Sequence, residues 1–118
     1  MARPQFYPLA GVYGELRQNR QTYEIDGTEI IIVGGPKGYF AFYQFWEGGA
    51  YVPVSVPVRY SGNQISFDVP ASSGACRRFE GTIFEKGFDG VCTMPSLNGH
   101  APLRQRIILP RRARSFWQ

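Results

Sequence analysis

Residues 79–94 read FEGTIFEKGFDGVCTM, and this stretch decides the fold because it has the pattern of two β-strands joined by their own turn. With Lys86-Gly87 as a two-residue loop, alternation puts mostly apolar residues on one face: Phe79, Gly81, Ile83, Phe88, Gly90, Cys92 and Met94. The other face is mixed: Glu80, Thr82, Phe84, Asp89, Val91 and Thr93. Since a lone hairpin is marginally stable in water, further strands must cover its apolar face.

The rest of the chain supplies those strands. Strand patterns separated by turn residues cover 9–16, 22–25, 28–33, 39–46, 51–60, 64–69 and 103–109. Asp26-Gly27 predicts a hairpin turn between the second and third of these segments. Residues 39–46, YFAFYQFW, are apolar on both faces, so we expect this strand at the centre of the structure, either covered on both sides or lining a cavity on one side while packing outward on the other. Pro53 and Pro57 are an even number of residues apart, so both missing backbone N–H groups would fall on the same edge of the strand. This favours an edge strand or a gap in a barrel.

No segment has a helical period longer than a turn or two, and each strand can pair with the next. The sequence therefore predicts an all-β fold: a single antiparallel, mostly meander, eight- or nine-stranded barrel, or a flattened barrel or sandwich. We expect residues 1–110 to form this domain and residues 111–118 to form a basic and aromatic tail.

Composition and charge narrow the functional classes. The chain has 118 residues, 43% hydrophobic and 19% charged, which excludes a wholly disordered protein. No apolar run approaches the roughly 20 residues of a membrane-spanning helix. Five of the arginines follow residue 100, which leaves eight basic and nine acidic residues before it, so nucleic-acid binding is not expected of the body. The first residues lack a signal peptide's apolar core, which predicts a cytoplasmic protein, with a mature secreted or periplasmic chain as the alternative.

The two cysteines, Cys76 and Cys92, are predicted to be unpaired thiols. In the register above Cys92 lies opposite Gly81 and Cys76 lies beyond the end of the strand, so a bridge would require residues 70–76 to fold back. Two cysteines and one histidine do not make a zinc set, and residues 34–38, GGPKG, lack the spacing of a phosphate loop. We therefore predict no metal and no cofactor.

Four side chains are candidates for acid–base chemistry. His100 is the only histidine and could form a thiolate pair with Cys92. Glu24 and Glu29 would face each other across an Asp26-Gly27 turn, where one of them could hold a proton. Tyr43 is the fourth candidate.

Two positions and the strand pattern resemble lipocalin-type, or calycin, barrels. In that family a Gly-x-Trp in the first strand is packed by a basic residue late in the last strand. Here Gly11-Val12-Tyr13 stands at the first position and Arg104 or Arg106 at the second, although the family's central Thr-Asp-Tyr motif is missing. The resemblance implies a small-molecule cavity.

The leading expectation is a small-molecule-binding barrel whose aromatic-lined cavity holds an apolar or aromatic compound. The predicted ligand-binding residues are Tyr13, Tyr39, Tyr43, Trp46, Phe67, Phe79 and Arg106, although the aromatic ones would equally fill a core. One alternative is a cofactor-free cyclase or isomerase using Glu24, Glu29, Tyr43 or His100. Others are a nucleic-acid binder acting through the arginine-rich tail, and an assembly subunit, such as a homodimer formed through the proline-marked strand or the tail.

Overall fold

A computed structural model of the chain describes residues 7–96 and 99–116. It contains a short 3₁₀ turn, Ala71–Ser73, and nine β-strands: β1 Gly11–Gln18, β2 Ile25–Gly35, β3 Gly38–Glu47, β4 Gly49–Ala50, β5 Val54–Ser61, β6 Gln64–Asp68, β7 Arg78–Phe84, β8 Gly87–Met94 and β9 Leu103–Arg112. Within the described residues no helix is long and apolar enough to cross a membrane.

Eight of the strands form a closed antiparallel meander barrel, which confirms the predicted fold class. The order around the barrel is β1-β2-β3-β5-β6-β7-β8-β9, and β4 is a two-residue addition to β3. The barrel closes where β9 returns to β1, with Arg111 opposite Tyr13 and Arg112 opposite Val12. Closure satisfies the backbone groups that an open sheet would leave unpaired at its edges.

The central hairpin has the predicted faces but a different register. Its turn is Glu85-Lys86 rather than Lys86-Gly87, so that Phe84 pairs with Gly87 and Gly81 faces Gly90. Each side chain still lies on its predicted face of the hairpin, because the register differs from the predicted one by an even number of residues. A Cβ on Gly81 would overlap the backbone of Asp89 and Gly90, so this close approach accepts only glycine and helps to fix the register.

The hairpin turn predicted at Asp26-Gly27 is wrong, because β2 runs straight through both residues. The β1–β2 turn lies earlier, where the Asn19 side chain accepts hydrogen bonds from the backbone of Gln21 at 2.8 Å and Thr22 at 3.0 Å. Gly27 pairs with Leu16 and has φ of 130°, and a Cβ there would overlap the carbonyl oxygen of the residue before Leu16. The glycine is thus required by a neighbouring strand and not by a turn.

Every second residue of each strand points into the barrel, and these residues form the core. Its most deeply buried large side chains are Tyr13, Phe67, Phe79, Phe88, Ile30, Ile32 and Ile83. Strand β3 is covered on its inner face only, so the expectation of cover on both sides is wrong. Ala41 and Tyr43 point into the barrel, whereas Phe40 and Phe42 on the outer face are 39% and 47% exposed.

The predicted gap is present beside Pro57, whereas Pro53 lies before the strand. Strand β5 pairs with β3 from Val54 to Val58, but with β6 only from Arg59 to Ser61. The segment after β6 approaches the chain just before β5, where Val52 donates a backbone hydrogen bond to the Ser72 carbonyl at 3.2 Å. The same segment leads directly to Cys76 and to one end of the barrel interior.

Candidate functional site

One end of the barrel interior contains a hollow of about 200 Å³, which we call the rim hollow. Strands β2, β3, β7, β8 and β9 and the segment before β7 surround it. Its lining residues are Thr28, Tyr43, Phe45, Ala75, Cys76, Phe79, Cys92, Met94, Gln105, Arg106 and Ile107. Most of these side chains are apolar.

Packed aromatic rings form one wall. The ring of Tyr43 meets that of Phe79 edge-on, with centroids 4.9 Å apart, and Phe79 stacks on Phe67 at 5.1 Å. Phe67 and Phe79 are both fully buried, so they hold Tyr43 from the side away from solvent. Aromatic pairs in this geometry favour a fixed arrangement of the wall.

Two hydroxyl groups interrupt this apolar lining. Tyr43 and Thr28 are only 2% and 8% exposed, yet neither hydroxyl makes a hydrogen bond to any described residue. Neither oxygen is sealed among apolar atoms, so each retains accessible surface. Burial raises the pKa of the Tyr43 phenol, against a smaller opposing effect of the Arg77 guanidinium. Tyr43 is therefore a neutral hydrogen-bond donor at physiological pH.

A disulfide between Cys76 and Cys92 forms another part of the wall, so the prediction of unpaired thiols is wrong. Their α-carbons are 5.8 Å apart, within the usual range for a bridge. The corrected register puts Cys92 opposite Phe79, and the segment before β7 folds back, since Arg77 donates its backbone N–H to Thr93 at 2.9 Å.

The bridge also removes one catalytic hypothesis. Cys92 is oxidised and His100 is exposed, so they do not form a thiolate pair.

Three of the predicted ligand-binding residues line the rim hollow: Tyr43, Phe79 and Arg106. Arg106 is at the outer edge, where its guanidinium pairs with Asp89 at 2.8 Å and holds the pKa of that carboxyl below its usual range. Phe67 stands behind Phe79 in the packed core.

The other three predicted ligand-binding residues lie elsewhere. Tyr39 is at the opposite end of the barrel, edge-on to Tyr60 at 5.0 Å. Trp46 has the opposite parity from Tyr43 on β3 and therefore lies on the other face of that strand. Tyr13 is buried in the core, where its hydroxyl donates to the Leu9 carbonyl at 2.8 Å.

The basic residue that packs on Tyr13 is Arg111, and not Arg104 or Arg106 as predicted. Its guanidinium carbon lies 4.9 Å from the ring centroid. The same group donates to the carbonyl oxygens of Pro8 at 3.0 Å and Ala10 at 3.4 Å. The predicted position was too early because β9 continues through Pro110, which brings Arg111 opposite Tyr13.

Only one of the four acid–base candidates, Tyr43, lies at the rim hollow. Glu24 is exposed in the turn before β2 and does not face Glu29, which pairs with Gly14 and Gln44 instead. Glu29 is buried on the outer side of β2, against residues 115–116. There its carboxylate accepts hydrogen bonds from the Ser115 hydroxyl at 2.6 Å and the Phe116 amide at 2.8 Å.

Sequence reasoning missed eight of the lining residues: Thr28, Phe45, Ala75, Cys76, Cys92, Met94, Gln105 and Ile107. Phe45 shares the inward parity of Tyr43, so alternation along β3 was a usable signal. Thr28 carried no such signal, because its strand was divided by the turn wrongly expected at Asp26-Gly27.

Larger hollows, of about 460 and 480 Å³, lie on the outer surface and are open to solvent. Charged and polar side chains line them, including Arg59, Glu80, Asp68 and Arg78, and the two arginines pair with Asp68. Their size alone does not make them binding sites, because most ligand sites are enclosed and mainly apolar.

No cluster of metal-ligating side chains is present in the part of the chain that the structure describes. No known family model matches the chain, and no curated protein or solved structure matches it. The functional argument therefore rests on the geometry of the rim hollow.

Proposed function

We propose that this chain is a small-molecule-binding barrel that holds an apolar or aromatic compound in the rim hollow. The observation that carries the proposal is a space of about 200 Å³ bounded by Phe45, Phe79, Met94, Ile107 and the disulfide. Tight packing is the rule in protein interiors, and voids larger than a water molecule are few. An apolar space with a small number of polar groups has the usual composition of a ligand site.

The solvation of the rim hollow supports the same proposal. At about 30 Å³ per molecule, a space of this size corresponds to roughly six or seven waters. A buried water usually needs two to four polar partners, and the lining supplies few beyond the hydroxyls of Thr28 and Tyr43. A compound with an apolar body would displace poorly bonded water, which favours binding.

The packing of Arg111 on Tyr13 supports a lipocalin-like assignment. In calycin barrels a basic residue of the last strand covers the aromatic residue of a Gly-x-Trp motif. Gly11 and Tyr13 of β1 and Arg111 of β9 have the same relation here, with tyrosine in place of tryptophan.

The enzyme alternative has less support. A cyclase or isomerase in this hollow would rely on Tyr43 alone, because Glu24, Glu29 and His100 lie elsewhere. A buried neutral phenol donates a hydrogen bond but is a poor base.

A nucleic-acid site in the tail has less support too, because Arg111 and Arg112 belong to β9 and bond to backbone carbonyls of β1 or the residues before it. The disulfide favours a secreted or periplasmic protein over a cytoplasmic one, since such bridges persist in oxidising compartments.

Native mass spectrometry of freshly purified protein, paired with a denatured spectrum of the same sample, tests the proposal. We expect a small molecule that leaves only on denaturation. Ile107→Trp should abolish its retention by filling the hollow, whereas Ile108→Trp adds the same ring on the exposed outer face and should retain it. Retention by both variants would contradict the proposed site.

A further inference from the structure

We infer that the ligand of the rim hollow is a single aromatic ring bearing a neutral hydrogen-bond acceptor, to which the Tyr43 hydroxyl donates. This inference rests on the proposed function and specifies it. Three independent features carry it: the volume of the hollow, the chemistry of its walls and the positions of its hydroxyl groups.

The volume limits the ligand to one ring. An apolar cavity of about 150 Å³ binds benzene, whereas drug-sized ligands occupy roughly 300–1,000 Å³. At about 200 Å³ the rim hollow accommodates a benzene ring with a small substituent. Long acyl chains and fused multi-ring compounds exceed it.

The walls favour an aromatic ring over an aliphatic one. Phe79 and Tyr43 are fixed edge-on to each other, so a third ring can meet one of them in an offset or edge-on arrangement. The sulfur atoms of the Cys76–Cys92 bridge and Met94 also lie in the lining. Sulfur atoms make favourable contacts with the edges of aromatic rings.

The Tyr43 hydroxyl determines the polar group of the ligand. The Tyr43 side chain is buried, and its hydroxyl has no hydrogen-bond partner among the described residues. Buried hydroxyls are normally hydrogen-bonded, so the ligand is the natural source of a partner. Burial raises the pKa of the phenol, which keeps its proton in place for donation. None of the described residues that line the hollow is acidic, which argues against a cationic ligand.

Acetophenone and α-methylstyrene test this inference, because they have the same shape and differ in a carbonyl oxygen against a methylene group. Binding to the wild-type protein, stripped of any occupant, is followed by the amide NMR shifts of Thr28, Cys92 and Ile107. We expect acetophenone to bind roughly three- to tenfold more tightly, the usual advantage of one neutral hydrogen bond. Tyr43→Phe should remove this advantage and leave the affinity for α-methylstyrene unchanged. Tyr39→Phe, at the other end of the barrel, is the control and should preserve the advantage.

The outcomes separate failure of the inference from failure of the proposed function. If acetophenone and α-methylstyrene bind the wild-type protein equally, or if acetophenone still binds more tightly to Tyr43→Phe, Tyr43 does not donate a hydrogen bond to the ligand. Decanoate, a linear compound, is tested in the same way. If it binds in the hollow and neither ring compound does, the ligand is not a single aromatic ring, but the hollow is still a small-molecule site. If none of the three compounds shifts these amides, and native mass spectrometry finds no occupant, both the inference and the proposed function fail.

Discussion

Arg111 makes three contacts that hold the start of the barrel to its last strand. Its guanidinium covers the Tyr13 ring and bonds to two carbonyl oxygens before β1, those of Pro8 and Ala10. We expect Arg111→Ala to lower the free energy of unfolding by about 1–3 kcal/mol, from one cation–π contact and the loss of these hydrogen bonds. Urea denaturation measures the change.

The neighbouring Arg114 provides a matched control for this prediction. It is exposed, and Arg114→Ala should change stability by less than about 0.5 kcal/mol. Arg111→Lys keeps the positive charge but lacks the planar guanidinium with its several N–H donors, so it should be only partly as stable as the wild type. An Arg111→Ala protein as stable as the wild type would contradict the assigned role.

Glu29 is a buried carboxylate whose two oxygens are bonded by residues near the end of the chain. The Ser115 hydroxyl bonds to one oxygen and the Phe116 amide to the other. Hydrogen bonds to a charged group contribute about 1.5–3 kcal/mol. A double-mutant cycle of Glu29→Ala and Ser115→Ala should therefore give a coupling energy of at least about 1 kcal/mol in urea denaturation.

Glu24 provides the comparison for that cycle, since it is exposed and distant from Ser115. Glu24→Ala and Ser115→Ala should be additive within about 0.5 kcal/mol. If Glu29 and Ser115 were also additive, the hydrogen bond between them would not contribute to stability.

At the scale of strands, Asp68 links β6 to both of its neighbours, at a junction where β5 and β6 share few residue pairs. At the end of β6 its carboxylate accepts from Arg59 of β5 at 2.9 Å and from Arg78 of β7 at 2.7 Å. Strands β5 and β6 share only three residue pairs, so this ion pair supports their junction. The hydrogen bonds from Arg78 and then Arg59 hold the pKa of Asp68 below its ordinary value.

The sign of the resulting pH dependence follows from that lowered pKa. The stabilisation is fully present above the unfolded-state pKa, about 3.9, and is lost as the pH falls through the lower folded-state value. We expect Asp68→Asn to unfold at lower urea than the wild type at pH 6, with the difference shrinking below about pH 4. The effect is small because the pair is half exposed and is screened by salt.

Glu85→Gln is the control for the Asp68 prediction, because Glu85 lies in the exposed turn between β7 and β8. It should leave the pH dependence of the wild type unchanged. A difference between wild type and Asp68→Asn that stays constant from pH 6 to pH 3 would contradict the proposed ionic origin.

For the molecule as a whole, the disulfide has the largest expected effect on stability. It closes a loop with a sequence separation of 16 residues, which corresponds to about 3 kcal/mol in the chain-entropy account. A reducing agent should lower the Tm by roughly 10 °C, measured by differential scanning calorimetry. The variant with Cys76→Ser and Cys92→Ser should melt near the reduced wild type and should not respond to the reducing agent. An equal response in both proteins would contradict the bridge.

Much of the fold was predictable because it follows from alternation along single strands. The inward positions of Phe79, Ile83 and Phe88 depend only on a two-residue period, which survives an error of an even number of residues in register. The gap beside Pro57 was predictable for a similar reason, since the missing donor is a property of the residue itself.

The candidate site was predictable only in part. Tyr43 and Phe79 were expected at a cavity and do line the rim hollow, but Tyr13, Tyr39 and Trp46 belong to the core, the opposite end and the other face. Aromatic residues fill a barrel core as readily as they line a cavity, so the residue type does not distinguish these positions.

The sequence by itself determined the fold class, the approximate positions of most strands and the inward face of the strands that alternate clearly, because hydrophobic burial acts on a local period. Only the tertiary structure decided the Cys76–Cys92 bridge, the partner of Tyr13 and the place of Gly27 within a strand. Each of these depends on which residue of another strand lies opposite. That register is set by close packing between strands, as at Gly81 and Gly90, and such packing has no signature within one segment of the chain.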